Sequence, residues 1–230
     1  MRDMHNIAHE LSQTPAFNCL PLSEVQELVK LGRVKALHKN EYICHQGDPW
    51  PYLIYVRKGL LRWAILSASG REHVLFLLEP KSIFWGHTLM DDQPMPASLM
   101  AMKQAEIMLW HKDVLHPFLN HNPEVLWGII RYQAEIMRRA REIIYGLAFQ
   151  PVAGRLAKLL LDRSGQLTEE PLKRDLTLNE IAAMVNTSQE VVCRLLYQFQ
   201  TDGLLQVNRA SIQLQDVPAL QKLFEAERER

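Results

Sequence analysis

From about residue 41 to residue 109, apolar and polar positions change over in short runs broken by turn residues: "QGDPWP", "RKGLLRWAI", "SASGREHVLFLL" and "EPKSIFWG". Runs of that length between Gly, Pro and Asp read as short strands. Gly47, Gly59, Gly70 and Gly86 stand where the chain is expected to reverse, because glycine alone takes positive φ without a steric cost. Many short strands with frequent turns predict a compact antiparallel barrel or roll. Ahead of them, "PLSEVQELVKLG" has the apolar spacing of a small amphipathic helix.

The period then lengthens. From Pro123 to Phe149, Ile129, Ile136 and Ile143 recur every seven residues, with Ile130, Met137 and Ile144 beside them and Leu126, Ala140 and Leu147 widening the stripe. Proline suits the first turn of this helix, where its missing N–H is not needed. So wide an apolar face predicts two partners, the roll on one side and the same helix of a second copy on the other. Ile130, Met137, Ile144 and Leu147 are the expected dimer contacts, with Gln133 and Ala140 making the seam shallow.

The last third reads as helix, helix, tight turn, helix and hairpin. "VAGRLAKLLLD" is one helix; "TLNEIAAMV" is the next, with Thr177 and Glu180 spaced as a capping box. Asn186 tolerates the left-handed conformation that a tight helix–helix turn requires. In "NTSQEVVCRLLYQFQ", Val191, Leu195 and Phe199, with Val192 and Leu196, form an apolar face, while Gln189, Glu190, Cys193 and Arg194 point the other way. Two strands are expected around Asn208–Ser211 in "LLQVNRASIQL". Together these elements describe a winged helix-turn-helix.

In that motif the second helix enters the DNA major groove with its N-terminal residues at the base edges. Glutamate accepts from cytosine N4 and arginine donates twice to guanine, so Glu190 and Arg194, four apart, are placed to address neighbouring base pairs. Gln189 suits adenine or a phosphate, Thr187 and Ser188 suit phosphate at the helix N-terminus, and Arg209 joins this set from the hairpin. Two structural alternatives stand beside this reading: Glu190 as a capping partner of Thr187, and Glu190–Arg194 as an ordinary surface ion pair.

Composition changes the picture little. Lys and Arg total 26 and Asp and Glu total 26, so any basic surplus is local. Arg131, Arg138, Arg139, Arg141, Arg155, Lys158 and Arg163 outnumber the nearby acids, which a solvated helix face explains equally well. No apolar run is long enough to span a bilayer, and the opening "MRDMHNIAHE" is polar where an export signal is greasy. Cys19, Cys44 and Cys193 are too scattered for a disulfide framework. A cytoplasmic protein is expected, with no membrane partner.

The order of parts, with "LAFQPVAGRLAKLLLD" and "SQEVVCRLLYQFQTDGLL", resembles the CRP/FNR superfamily of bacterial regulators, named for the cyclic-AMP receptor protein and the fumarate–nitrate reduction regulator. The resemblance covers nearly the whole chain. It implies Glu190 and Arg194 as base-reading residues and an inverted-repeat operator with a TGA-like half-site core. It also implies RNA polymerase as a partner if the protein activates transcription. Cys193 and Asn186 stand where the oxygen-responsive branch carries serine or glycine, and glycine.

For the effector, the resemblance implies differences. Cyclic-nucleotide binders of the family carry Gly-Glu and, further on, an arginine before Ser/Thr-Ala; here Gly86-His87 and "PMPASL" stand there, with Met95 or its neighbour at the arginine position. Ala140-Arg141 replaces the polar pair that touches adenine. Cyclic AMP is therefore not expected. An iron–sulfur cluster is not expected either, since one cysteine, Cys19, precedes the roll. His87 stands where the carbon-monoxide-sensing members carry a haem ligand, so a haem-based gas or redox sensor is the alternative effector reading. The pocket is expected at Phe84, Trp85, His87, Met137 and Arg141, with Met90 and Met102 nearby.

These readings commit to an α+β chain: residues 1–121 an antiparallel, jelly-roll-like effector-sensing β-roll with flanking helices, 122–150 a dimerisation helix and hinge, and 151–230 a winged helix-turn-helix. The expected function is a homodimeric, sequence-specific regulator of double-stranded DNA controlled by a small effector. A metal-dependent enzyme of the cupin type is the distant alternative. It needs paired histidines and a carboxylate at set spacing, which His73 and Glu72 do not supply. His111, His116 and His121, five apart, share no helix face. No catalytic residue is expected.

Overall fold

The computed structural model describes residues 2–164 and 171–226. They form two compact units, one within Met1–Ser69 and Leu75–Arg139, the other within Gly70–Val74 and Ala140–Arg230. The division falls inside the long helix, between Arg139 and Ala140, and the physical reason lies in its two halves. Ile129 packs into the core of the first unit and the Tyr132 hydroxyl donates to the Ile83 carbonyl at 2.7 Å. The far end is tied instead to the second unit, where Arg155 donates to the Gln150 carbonyl at 2.8 Å.

The first unit opens with α1 (Arg2–Ser12) and α2 (Leu22–Leu31). It continues through β1 (Arg33–Leu37), β2 (Tyr42–Cys44), β3 (Tyr52–Lys58), β4 (Leu61–Leu66), β5 (Glu72–Leu78) and β6 (Ile83–Trp85). Then come α3 (His87–Asp91), β7 (Ser98–Ala101), β8 (Ala105–His111), α4 (Lys112–His121) and α5 (Glu124–Phe149). The strands make two four-stranded sheets, β1-β8-β3-β6 and β2-β7-β4-β5. Leu37, Ile54, Val56 and Ile107 meet Leu61, Trp63 and Leu99 in one apolar cluster. Leu53, Tyr55, Met108 and Trp110 pack in another with Leu11, Leu28 and Leu115 of the helices. Both faces of β3 are therefore covered, which is why "YLIYV" is apolar throughout instead of alternating.

Gly47, Gly59 and Gly70 take φ of 93°, 90° and 78°, as expected of turn glycines. Gly86 does not: its φ is −58° and it caps α3. Its constraint is proximity, because a Cβ there would lie 2.7 Å from the Tyr52 carbonyl oxygen and 2.9 Å from that of Trp50. Cys44 is buried, and burial pushes its thiol up to about 12.

The second unit holds α6 (Val152–Ser164), β9 (Leu172–Lys173), α7 (Leu178–Val185), α8 (Gln189–Thr201), β10 (Leu205–Val207), β11 (Ser211–Leu214) and α9 (Val217–Glu225). The wing is a three-stranded sheet, β10-β11-β9, one strand more than the sequence suggests. The chain also does not stop at the hairpin. Asp216 accepts from the Ala219 amide at 2.9 Å to start α9. That helix lies so close to α6 that a Cβ on Gly154 would meet the Leu223 carbonyl oxygen at 2.6 Å.

Candidate nucleic-acid interface and effector cavity

The turn between α7 and α8 is built from local bonds. Thr177 accepts from the Glu180 amide at 3.2 Å while Glu180 accepts from the Thr177 amide at 2.7 Å, completing the expected capping box. Asn186 ends α7 in the left-handed region, with φ of 52°. Arg155 Nε donates to the Val185 carbonyl at 2.9 Å and braces this turn from α6. Grouped by charge alone, Arg155 looked like part of a solvated face; its pairing with backbone carbonyls is a tertiary feature with no local signal.

Helix α8 buries Val192, Leu196 and Phe199, and leaves Gln189, Glu190, Cys193, Arg194 and Tyr197 exposed. Ser188 is its N-cap, accepting from the Val191 amide. Glu190 is thus not the capping partner of Thr187. A hydrogen bond from the Ser188 hydroxyl, and then its own amide, hold the Glu190 carboxyl below its ordinary range, so it is ionised at neutral pH. Among the described residues no ion pair joins Glu190 to Arg194, and Arg194 has no other polar partner. Glu190 thus takes part in the helix cap through Ser188 and not through Thr187 or Arg194. Thr187 is half-buried beside the cap, and Arg209 is exposed between β10 and β11. Tyr197, 72% exposed on the same helix, was not singled out by the sequence pattern.

Within the first unit, a cavity of about 70 Å³ is lined by Trp63, Phe76, Phe84, Trp85 and His87 of the roll and by Tyr132, Gln133, Ile136 and Arg139 of α5. Phe84, Trp85 and His87 are where the sequence placed them. Met137 and Arg141 are not: Met137 is 73% exposed, and Arg141 lines a separate groove with Glu142, Tyr145 and Lys158 in the second unit. The reason is helical phase. Tyr132, Ile136 and Arg139 follow one another at four and three residues on the roll-facing side, which leaves 137 and 141 on other faces. Gln133, assigned to the dimer seam, lines the cavity instead. Met90 is 44% exposed and Met102 is buried elsewhere in the core.

Burial lowers the imidazole pKa of His87, against a smaller opposing pull from Asp91, so the ring is neutral at neutral pH. That state suits an iron ligand. The space does not: cofactor-sized sites enclose about 300–1,000 Å³, well above the volume here, so no porphyrin fits beside His87 in this conformation. Met95, which with its neighbour was expected to occupy the place of a phosphate-binding arginine, is 1% exposed within the roll core.

The opposite side of α5 is apolar and open. Ile130 is 54% exposed and Ile144 65%, at the same seven-residue spacing as Met137. Leu147 is half-buried and flanks the row.

The family model described as a cyclic nucleotide-binding domain matches residues 34–122, and that described as a Crp-like helix-turn-helix domain matches 154–223. Over 211 residues the chain is 25% identical to the CRP-like cAMP-activated global transcriptional regulator of Mycobacterium tuberculosis, covering 90% of this chain and 94% of that protein. It is 24% identical over 210 residues to the transcriptional activator protein anr of Pseudomonas aeruginosa, covering 86% and 85%. Among solved structures, the c-di-GMP responsive global regulator CLP of Xanthomonas campestris superposes with a TM-score of 0.76 at 19% identity, over 85% of this chain and 100% of that one. Among the described residues no helix is long and apolar enough to cross a membrane.

Proposed function

The chain belongs to the CRP/FNR family of transcription regulators, and on that premise we propose that it binds an inverted-repeat operator as a homodimer under the control of a small effector other than cyclic AMP. The observation that carries the DNA-reading part is the pair Glu190 and Arg194, both exposed on the N-terminal turns of α8 and not paired with each other, with the Glu190 carboxylate held by the Ser188 hydroxyl. A carboxylate accepts from cytosine N4 and a guanidinium donates to guanine O6 and N7. Gln189 lies between the Ser188 cap and this pair, while Thr187, Ser188 and Arg209 are assigned to the phosphates. RNA polymerase is the further partner if the protein activates transcription.

Dimerisation is assigned to the exposed heptad row Ile130, Met137 and Ile144 with the half-buried Leu147 beside it, since covering such a row with a second copy removes apolar surface from water. The effector is assigned to the cavity at His87. Its lining cation, Arg139, pairs with Glu135 at 2.6 Å on the exposed side of α5. Effector binding against Tyr132 and Ile136 biases the packing of α5 and, through it, the separation of two recognition helices. That separation must be about 34 Å to enter successive major grooves. The test is selection of bound DNA from a random pool, with anisotropy titrations on the enriched site. The reading expects a two-fold symmetric site whose affinity falls steeply with salt; equal affinity for enriched and scrambled duplexes overturns it.

A further inference from the structure

One guanidinium in the second unit holds two helix ends at once. Arg155 is the fourth residue of α6, and its side chain leans back toward the start of that helix, as helical side chains do. There its Nη1 donates to the Gln150 carbonyl at 2.8 Å and lies 3.4 Å from the Gly146 carbonyl, both at the C-terminal end of α5. In the other direction its Nε donates to the Val185 carbonyl at 2.9 Å, and its Nη2 lies 3.4 Å from the Asn186 carbonyl, at the end of α7.

This placement runs against local preference. A cation in the first turn of a helix meets the positive end of its own dipole, so α6 gains nothing from arginine there. The ends of α5 and α7 do gain. A helix C-terminus leaves carbonyls short of partners and carries partial negative charge, and the half-buried guanidinium serves both ends. Arginine presents its N–H donors in one rigid plane, so the two segments cannot shift independently without loss of a bond. Lysine carries a single charged point and serves one segment at a time.

The contact sits close to the reading helix. Gln150 is 5% exposed and its side-chain amide donates to the Phe224 carbonyl at 2.7 Å, which fixes the end of α5 against α9. Beyond the Asn186 carbonyl, only Thr187 and the Ser188 cap precede the first residue of α8.

We propose that Arg155 is a positioning residue of operator recognition: by joining the end of α5 to the α7–α8 turn, it fixes the direction in which α5 presents α8, and with it the half-site spacing that two copies accept. The assignment rests on the DNA-binding reading above and adds to it a residue that acts through α8 and not on a base.

The experiment uses the full chain, its Arg155→Lys and Arg155→Gln variants, and Lys158→Gln on the same helix as a control. Binding is titrated on the selected operator and on duplexes whose half-sites are moved together or apart by one base pair. The unmodified chain should lose roughly tenfold or more in affinity at each altered spacing, the cost of one base contact. In Arg155→Lys that ratio should shrink below about threefold while base preference inside each half-site is kept, and Lys158→Gln should keep both. Partial unfolding lowers the competent fraction equally on every duplex, so the ratio separates positioning from stability. A folded Arg155→Lys with the spacing profile of the unmodified chain overturns the proposal. Amide hydrogen exchange supplies a readout without DNA. In Arg155→Lys, exchange within 146–150 and within 185–188 should accelerate together by about tenfold, as expected for lost hydrogen bonds to a charged group, while the C-terminal half of α8 stays protected. Acceleration in one segment alone, or in neither, also overturns it. If Arg155→Gln does not fold, Arg155→Lys decides alone. Joint acceleration without any selective operator sinks only the DNA-binding reading, whereas a selective operator with unchanged exchange sinks only the positioning role.

Discussion

Replacing Ile144 with alanine tests the dimer seam through a residue whose contribution can be sized in advance. Full burial of an isoleucine side chain stabilises by about 1.5–3 kcal/mol. Ile144 is 65% exposed, so roughly two thirds of that remains to be gained when a second copy covers it. Alanine keeps the β-carbon, leaving a loss of about 0.7–1.5 kcal/mol in each protomer. A two-fold interface counts every substitution twice, giving about 1.5–3 kcal/mol, or a ten- to hundredfold weaker dimer. Alanine is also the strongest helix former, so α5 itself is not weakened. Sedimentation velocity over a dilution series reads the dissociation constant directly. An unchanged constant, with unchanged helix content by circular dichroism, refutes the assignment of this row to the interface.

Glu190→Ala should cost on the order of 1–3 kcal/mol at one operator position and relax base choice there, read by competition among single-base operator variants. His87 makes stability depend on pH in a definite direction. Its folded pKa lies below the ordinary value of 6.5, so as pH falls through 6.5 the unfolded chain takes up a proton that the native chain refuses. Stability is therefore fully present above that range and declines below it, and urea unfolding at stepped pH should show a shallower decline in His87→Gln. Gly86→Ala forces a methyl group against two backbone carbonyls that cannot rotate away, and overpacking of this kind costs about 1–3 kcal/mol. Thermal unfolding should show that loss, and an unshifted midpoint would contradict the close approach.

What the sequence disclosed and what it withheld follow from the range of the interactions. Thr177 with Glu180, and Asn186 at the turn, are local devices in which residue type and spacing nearly determine the geometry, and the structure has them as expected. The apolar face of α8 was legible for the same reason. Helical phase against a partner is not local. The heptad pattern of α5 marked a wide stripe, but only packing decided that Tyr132 and Ile136 face the roll while Ile130 and Ile144 face outward, so Met137 and Arg141 were misplaced into the cavity. Helix α1 was overlooked because its charged residues mask the three positions that matter; Ile7, Ala8 and Leu11 are buried in the core. Gly86 misled because a glycine that admits a neighbouring backbone carries no sequence mark to separate it from one that turns the chain.

Paired Glu190 and Arg194 side chains, presented by two copies of one chain, are proposed to read a symmetric site. The decisive measurement is selection from random duplexes by the purified protein, repeated with Glu190→Ala and Arg194→Ala, with the mass of the selected complex determined by native mass spectrometry. The expected outcome is an inverted repeat with half-sites one helical turn apart, two protomers on each duplex, and loss of preference at one symmetric base pair in each variant. One protomer on each duplex, or variants that select the same sequence as the unmodified chain, would contradict it.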